Sequence, residues 1–167
     1  MRIGIGFDAH RFVDGDGVVI GGIKIPFDKA LLGHSDADVL LHAISDAILG
    51  ALALGDIGKY FPPSDPQFKG MQSIVILKKA VMLIVGKGYL VNNVDCVIIA
   101  EEPKIAPHAD AMRKVIAEAC GVPIGAVSVK ATTTELMGFT GRKEGIAAQA
   151  VALLRQNPDH QRGAVDE

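Results

Sequence analysis

Apolar and other residues alternate along the first ten positions. In MRIGIGFDAH, Ile3, Ile5 and Phe7 fall on one face of an extended chain and Gly4, Gly6, Asp8 and His10 on the other, the period-two signature of a strand. Glycines on the Asp8 face predict that another element approaches the backbone closely there. A glycine-rich turn, DGDG, separates this strand from VVI, and Gly21-Gly22 joins VVI to IKIPF. Two short apolar runs joined by Gly-Gly predict a small hairpin. The period then changes. SDADVLLHAISDAILGALALG predicts a helix with Ser35 as its cap, Asp36 and Asp38 at its positive end, and Gly50 or Gly55 near its close. Residues 56–70 hold three prolines and predict a loop with at most one helical turn. MQSIVILKKAVMLIVGKG predicts a helix closed by Gly86 and Gly88, YLVNNVDCVIIA a strand, Pro107 to Cys120 a helix stopped by GVP, and AVSVKATTT another strand. The alanines of EGIAAQAVALLRQ favour a helix, although the segment also alternates as a strand. The order predicts one layered α/β or α+β domain over residues 1–156, with helices on a mixed sheet, and a polar, frayed tail over 157–167.

Composition narrows the classes of function. With 167 residues, 49% of them hydrophobic and 22% charged, the chain can build one ordinary core. A net charge of -2 gives no basic footprint for nucleic acid or an anionic membrane. A small anionic ligand stays open, because a local site can be positive or metal-loaded on a neutral protein. Cys96 and Cys120 lie in apolar settings and predict buried free thiols in a reducing compartment. The opening lacks the apolar run of a signal peptide, and Lys78 and Lys79 interrupt the most apolar stretch, so a cytoplasmic protein is expected.

The polar residues then suggest chemistry. Asp8 and His10 point to the same face of the first strand, and His42 lies on the following helix. Two histidines and a carboxylate form the ligand set of an open catalytic zinc site, with a fourth position for water or a substrate oxygen. The alternative is a hydrogen-bonded strand pair beside an unrelated core histidine. Asp46, one helical turn after His42, could orient its ring or reach the site itself. His34 and Ser35 precede a helix N-terminus that favours an anion. KATTTE puts Thr132 and Thr134 on one face and Thr133 on the other. With Glu135 and the following GFTGR, it gathers hydroxyls and amides suited to phosphate, and Glu135 could hold Mg²⁺ through oxygen. AEEPKIAPH is either a rigid loop that binds a base or phosphate, or a plain strand-to-helix connection.

Taken together, GFDAHRF, GHSDADVLLHAISDAILGALALGDIGKYFP, AEEPK and KATTTELMGFTGRKEGIAAQAVALL closely resemble the 2-C-methyl-D-erythritol 2,4-cyclodiphosphate synthases of the non-mevalonate isoprenoid pathway. The resemblance runs from residue 1 to about residue 155. It implies a four-stranded mixed sheet with helices on one face, as in Bacillus chorismate mutase, with EGIAAQAVALL as a long strand. It also implies a homotrimer with its sheets around the threefold axis and active sites between adjacent subunits. The implied enzyme is a phosphorus-oxygen lyase. The 2-phosphate of a CDP-linked methylerythritol attacks the β-phosphate, closing a cyclic diphosphate and releasing CMP, with no protein nucleophile. By the same resemblance Asp8, His10 and His42 would hold one Zn²⁺ per subunit, and Glu135 a Mg²⁺ or Mn²⁺ bridging the diphosphate. His34 and Thr133 would stabilise the transition state.

The substrate positions carried over are Asp8, Ala9 and His10; His34 and Ser35; Asp56, Ile57 and Gly58; Phe61, Pro62, Pro63, Ser64 and Asp65; Ala100, Pro103, Lys104, Ile105 and Ala106; Ala131, Thr132, Thr133, Thr134 and Glu135; and Phe139 and Arg142. Phe7, Phe139, Arg142 and Glu144 match residues lining an axial cavity that takes an isoprenoid diphosphate in some members. Many members carry a polar or acidic residue where this chain has Pro63, so contacts there would fall to Ser64 or Asp65. Two other readings are a zinc-dependent phosphohydrolase using Asp46 or Asp56 as base, and a trimeric, metal-stabilised binding protein for isoprenoid diphosphates.

Overall fold

In the computed structural model, which describes residues 1–62 and 64–160, the opening alternation becomes β1 (Arg2–Asp14). The Gly21-Gly22 turn joins β2 (Val18–Ile20) to β3 (Ile23–Ile25) as an antiparallel hairpin. Both glycines adopt positive φ, +62° and +75°, the left-handed geometry that lets a two-residue turn match the strand twist. A short strand, β4 (Lys29–Leu31), returns antiparallel to the end of β1, pairing Phe12 with Leu31. Then follow α1 (Val39–Ala51), the one-turn α2 (Ile57–Tyr60), a 3₁₀ turn at Pro66–Phe68, and α3 (Ser73–Val85). β5 (Tyr89–Ile99), α4 (Ala109–Cys120) and β6 (Val127–Thr132) make a parallel crossover, and α5 (Gly138–Gly141) precedes β7 (Gly145–Gln156).

The sheet runs β4-β1-β7-β5-β6. The expected four strands are therefore joined by a fifth, three-residue edge strand, which the loop-like sequence around Pro26 conceals. The C-terminal segment is a strand despite its alanines. Weak helix propensity yields to tertiary packing here, because Ala148, Ala150 and Ala152 lie buried beneath the helices and pair across β1 with Asp8, Gly6 and Gly4.

Those small residues let α1 sit close to the sheet. A Cβ added at Gly4 would overlap the Ala47 carbonyl oxygen, and one at Gly6 would overlap that of Ala43. The close approach expected on the Asp8 face is thus made by the backbone of α1, and it fixes His42 over β1. The opposite face of the sheet carries Ile3, Ile5 and Phe7, which are 57–69% exposed.

Ser35 is not the cap of α1. The helix starts at Val39, and the buried Asp38 side chain caps it by accepting the N–H groups of Leu40 (3.2 Å) and Leu41 (3.0 Å). The same carboxylate accepts the N–H groups of Gly21 (2.9 Å) and Gly22 (2.7 Å), so one residue ties the hairpin turn to the helix. Burial pushes its carboxyl up to about 6, against the N–H bonds from Gly22, Leu41 and Gly21. At the other end of the chain, Asn157 donates its N–H to the Gly88 carbonyl at 2.8 Å. Residues 161–167 of the expected tail lie outside the described residues. No helix among the described residues is long and apolar enough to cross a membrane.

Candidate active site

β1 and α1 bring Asp8, His10 and His42 together. His10 Nε2 lies 2.9 Å and His42 Nδ1 3.0 Å from Asp8 Oδ2, and the two ring nitrogens are 3.3 Å apart. The outer partners decide which atoms carry protons. His10 Nδ1 donates to the Leu32 carbonyl at 2.8 Å, which leaves the Nε2 lone pair facing inward. His42 Nε2 lies 2.8 Å from Ser73 Oγ. The Ser73 hydroxyl in turn donates to the Asp36 carboxylate, which can only accept. Ser73 must therefore accept from His42 Nε2–H, so His42 Nδ1 also presents a lone pair.

Three acceptors this close repel unless a positive charge lies among them. A proton on either imidazole supplies part of it, whereas a divalent ion satisfies all three. Donors bound about 2.0–2.1 Å from a tetrahedral ion sit roughly 3.3 Å from one another, close to the separations observed. The residues fit a zinc ion. Their titration reflects the same crowding. Burial opposes the charged form of Asp8, but a proton on an inward nitrogen of His10 or His42 brings a hydrogen bond and a positive charge that outweigh it and hold the carboxyl well below the usual range. Burial lowers His10, yet the Asp8 hydrogen bond and charge raise it further.

Asp46 does not orient His42. Its carboxylate accepts the Ile57 N–H at 2.8 Å and so positions α2, the element that lines the adjoining pocket. Burial raises its carboxyl. The orienting role falls to Ser73 and Asp36, with Ser35 Oγ 3.2 Å from the same His42 nitrogen. Sequence reasoning had no signal for this pairing, since residues 36 and 73 meet only when α3 packs beside the turn that precedes α1.

A cavity of about 260 Å³ opens over the triad, lined by Asp8, His10, His34, Ser35, His42, Ile57, Gly58, Phe61, Asp65, Phe68, Lys69 and Ile76. Most of the positions expected from 8 to 65 therefore converge. Phe68, Lys69 and Ile76 join them unannounced. Phe61 and Phe68 stack edge to face with centroids 5.3 Å apart, which draws the proline-rich loop over the site. Ala9 points the other way and only its N–H bonds Asp8 (2.9 Å). Asp56 caps α2 through the Lys59 N–H (3.1 Å), and Asp65 caps the 3₁₀ turn through the Gln67 N–H (3.0 Å). Pro63 lies outside the described residues. Pro62 and Ser64 do not line the cavity.

Residues 100–106 and 131–135 stand elsewhere. Paired positions run straight across the sheet from Ala9 through Ala147 and Ile99 to Thr132. Three strand spacings put Thr132 about 14 Å from Ala9. Thr132, Thr133 and Glu135 are exposed, as is Lys104. Thr133 Oγ1 donates to Glu135 Oε1 at 2.9 Å. Glu135 and Leu136 adopt left-handed φ of +52° and +66°. Phe139 is exposed, and Arg142 Nε pairs with Glu144 Oε1 at 2.7 Å on the surface.

Residues 1–155 match the model of the YgbB family. A 2-C-methyl-D-erythritol 2,4-cyclodiphosphate synthase of Ectopseudomonas mendocina is 60% identical over 154 residues, covering 92% of this chain and 98% of its own. One of Pseudomonas syringae pv. syringae is 62% identical with the same coverage. Among solved structures, a synthase of that name in a CDP-bound form has a TM-score of 0.85 at 34% identity, covering 92% of this chain and all of its own. The bifunctional IspDF of Campylobacter jejuni has a TM-score of 0.89 at 39% identity, covering 93% of this chain, which spans 42% of that longer protein.

Proposed function

The chain belongs to the YgbB family, and from that premise we propose that it converts 4-diphosphocytidyl-2-C-methyl-D-erythritol 2-phosphate to 2-C-methyl-D-erythritol 2,4-cyclodiphosphate and CMP. The observation that carries this reading is the convergence of three potential ligand atoms, from Asp8, His10 and His42, in the lining of a cavity. In the reaction an oxygen of the 2-phosphate forms a bond to the β-phosphorus, and the bond from that phosphorus to the CMP oxygen breaks. Two anionic groups must be brought together, so orientation and charge neutralisation are the main catalytic tasks. A Zn²⁺ held by Asp8, His10 and His42 and a Mg²⁺ or Mn²⁺ held by Glu135 would polarise and neutralise the phosphates.

The chain's own residues supply the rest. His34 at the cavity mouth, the Ser35 hydroxyl and the α2 turn bind and orient the methylerythritol phosphate, with Phe61 and Phe68 excluding water. Ala100 to Ala106, with Lys104, hold the cytidine and its phosphates, and Thr133 steadies charge on the phosphoryl oxygens.

One diphosphate cannot touch both the triad and Thr132 across about 14 Å of sheet. This supports a site completed between adjacent subunits of a homotrimer, with a chorismate mutase-like arrangement of sheets about the axis. The open sheet face with Ile3, Ile5 and Phe7 is the surface such packing needs. Phe7, Phe139 and the Arg142–Glu144 pair would then line the axial cavity for an isoprenoid diphosphate. Cys96 and Cys120, buried thiols pushed up to about 12 by burial, suit a cytoplasmic enzyme.

Product analysis tests the reading. Purified protein given the CDP-linked substrate is expected to release CMP and cyclic diphosphate in equal amounts. His42→Ala is expected to stay folded while losing zinc and about a thousandfold in rate, the several kcal/mol that a Lewis-acid metal supplies. CMP accompanied by a linear product would overturn the cyclase.

A further inference from the structure

The turn from Thr133 to Leu136 holds an unfavourable backbone. Glu135 and Leu136 are consecutive non-glycine residues in the left-handed region, a conformation that persists only where the surroundings impose it. Bonds within the turn contribute: Met137 N–H to the Thr134 carbonyl (3.0 Å), the Thr134 hydroxyl to the Met137 carbonyl (2.6 Å) and Glu135 N–H to Thr133 Oγ1 (3.4 Å). None of these reaches the Leu136 N–H, which lies between the two strained residues.

A side chain from another loop does. Glu101 Oε1 accepts the N–H of Thr134 at 3.0 Å and that of Leu136 at 3.3 Å. One carboxylate oxygen therefore brackets Glu135, and bonds of this charge-assisted kind are the stronger ones. Glu101 is half-buried, lies just beyond the end of β5, and precedes Pro103 by two residues and Lys104 by three. Its neighbour Ala100 donates its N–H to the Thr132 carbonyl at 3.0 Å, so the backbone and the carboxylate clasp the same segment one after the other.

We propose that Glu101 is a positioning residue that moulds the Thr133–Leu136 turn and holds it in register with the loop carrying Lys104. Building on the cyclase reading, it presents the Thr133 hydroxyl and the Glu135 carboxylate side by side toward a nucleoside diphosphate and its divalent ion. It touches neither itself. Its part is to accept amides, so an uncharged acceptor of the same reach serves in its place.

The test compares Glu101→Ala with Glu101→Gln in the full chain by three measurements: hydrogen exchange over residues 133–137, CDP affinity by calorimetry with Mg²⁺, and zinc content. Glu101→Ala is expected to speed exchange in the turn and weaken CDP binding, each about tenfold, the lower end of what such supporting groups contribute. Zinc content stays at the wild-type level. Glu101→Gln keeps an acceptor oxygen and is expected to remain within about threefold of wild type. Glu101→Ser, too short to reach, replaces the alanine variant should that one misfold. Wild-type exchange and affinity in the short variants would overturn the proposal, as would a glutamine variant as impaired as alanine. Wild-type protein that binds no CDP would sink the cyclase reading instead, while the exchange rates decide the tether by themselves.

Discussion

Asp8, His10 and His42 sit where β1 is pressed against α1, with backbone in contact with backbone through Gly4 and Gly6, whereas Thr133, Glu135 and Leu136 stand exposed on a turn held in part by a single carboxylate from another loop. The first region owes its geometry to packing. Its ligand atoms are fixed by two regular elements and by outer partners, Leu32 and Ser73, each within 2.8 Å. The second owes its geometry to local hydrogen bonds around a strained backbone. Packed interiors resist displacement, whereas exposed segments with few buried contacts open at low free energy. A single chain thus brings three candidate metal ligands together by itself, while the exposed turn, read under the proposed function as the nucleotide edge, stays open, which is the division expected if a neighbouring subunit completes it.

The sharpest way to break this contrast is to disturb the packing. In Gly6→Ala the new methyl meets the Ala43 carbonyl and Ala47 nitrogen, backbone atoms that no rotamer change can move aside. Strand and helix must separate. The expected cost is about 3 kcal/mol, the upper end for overpacking, read from urea unfolding, together with loss of zinc. Hydrogen exchange over residues 133–137 should stay at its wild-type rate. Equal acceleration in both regions would show that they are not built independently.

A smaller effect is expected at the outer partner of His42. Ser73→Ala removes the acceptor that holds the Nε2 proton, leaving Ser35 Oγ at 3.2 Å as the remaining neighbour. Zinc affinity is expected to fall about tenfold, with CDP affinity unchanged. An unaltered zinc affinity would mean that Ser35 alone fixes the ring and that the Asp36–Ser73 pair serves only to dock α3.

Much of this division was legible in the sequence, and the rest was not for identifiable reasons. The alternation of Ile3, Ile5 and Phe7 with Gly4, Gly6, Asp8 and His10 located the strand, its two faces and the close approach, because a period of two leaves no other arrangement. The placement of His42 on the next helix suggests the triad but leaves an unrelated core histidine as the alternative, and the resemblance decides between them. Asp38 shows locally only as a favourable charge, since nothing nearby in sequence indicates that it reaches back to Gly21 and Gly22. Ser35 suits a cap because hydroxyls are good caps, but the buried carboxylate three residues later satisfies more N–H groups. Asp46 was paired with His42 by helical spacing, which places two side chains on one face without saying which way each turns; the Ile57 amide claimed it. Glu101 and Ser73 give no signal because their partners lie 31 or more residues away. In every such case the missing information was a tertiary hydrogen bond, not a propensity.

The smallest expected effect lies in the sheet beneath the Thr133–Leu136 turn. Lys130 Nζ on β6 lies 2.6 Å from the Asp95 carboxylate on β5, with both side chains about half exposed. The Lys130 hydrogen bond holds the Asp95 carboxyl below its ordinary value, more than offsetting the modest effect of burial. A depressed folded-state value means that the pair stabilises the protein above the unfolded carboxylate value and that this contribution is lost as pH falls through the folded one. Exposure screens the pair, so Lys130→Met should cost less than about 1 kcal/mol at pH 7. The difference from wild type should shrink as the pH is lowered through the carboxylate range. If the edge were instead held by its charges, the variant would lose several times as much and residues 131–137 would exchange faster. With the β5–β6 register carrying the edge, stability shifts slightly and exchange in the turn does not, because that turn answers to Glu101.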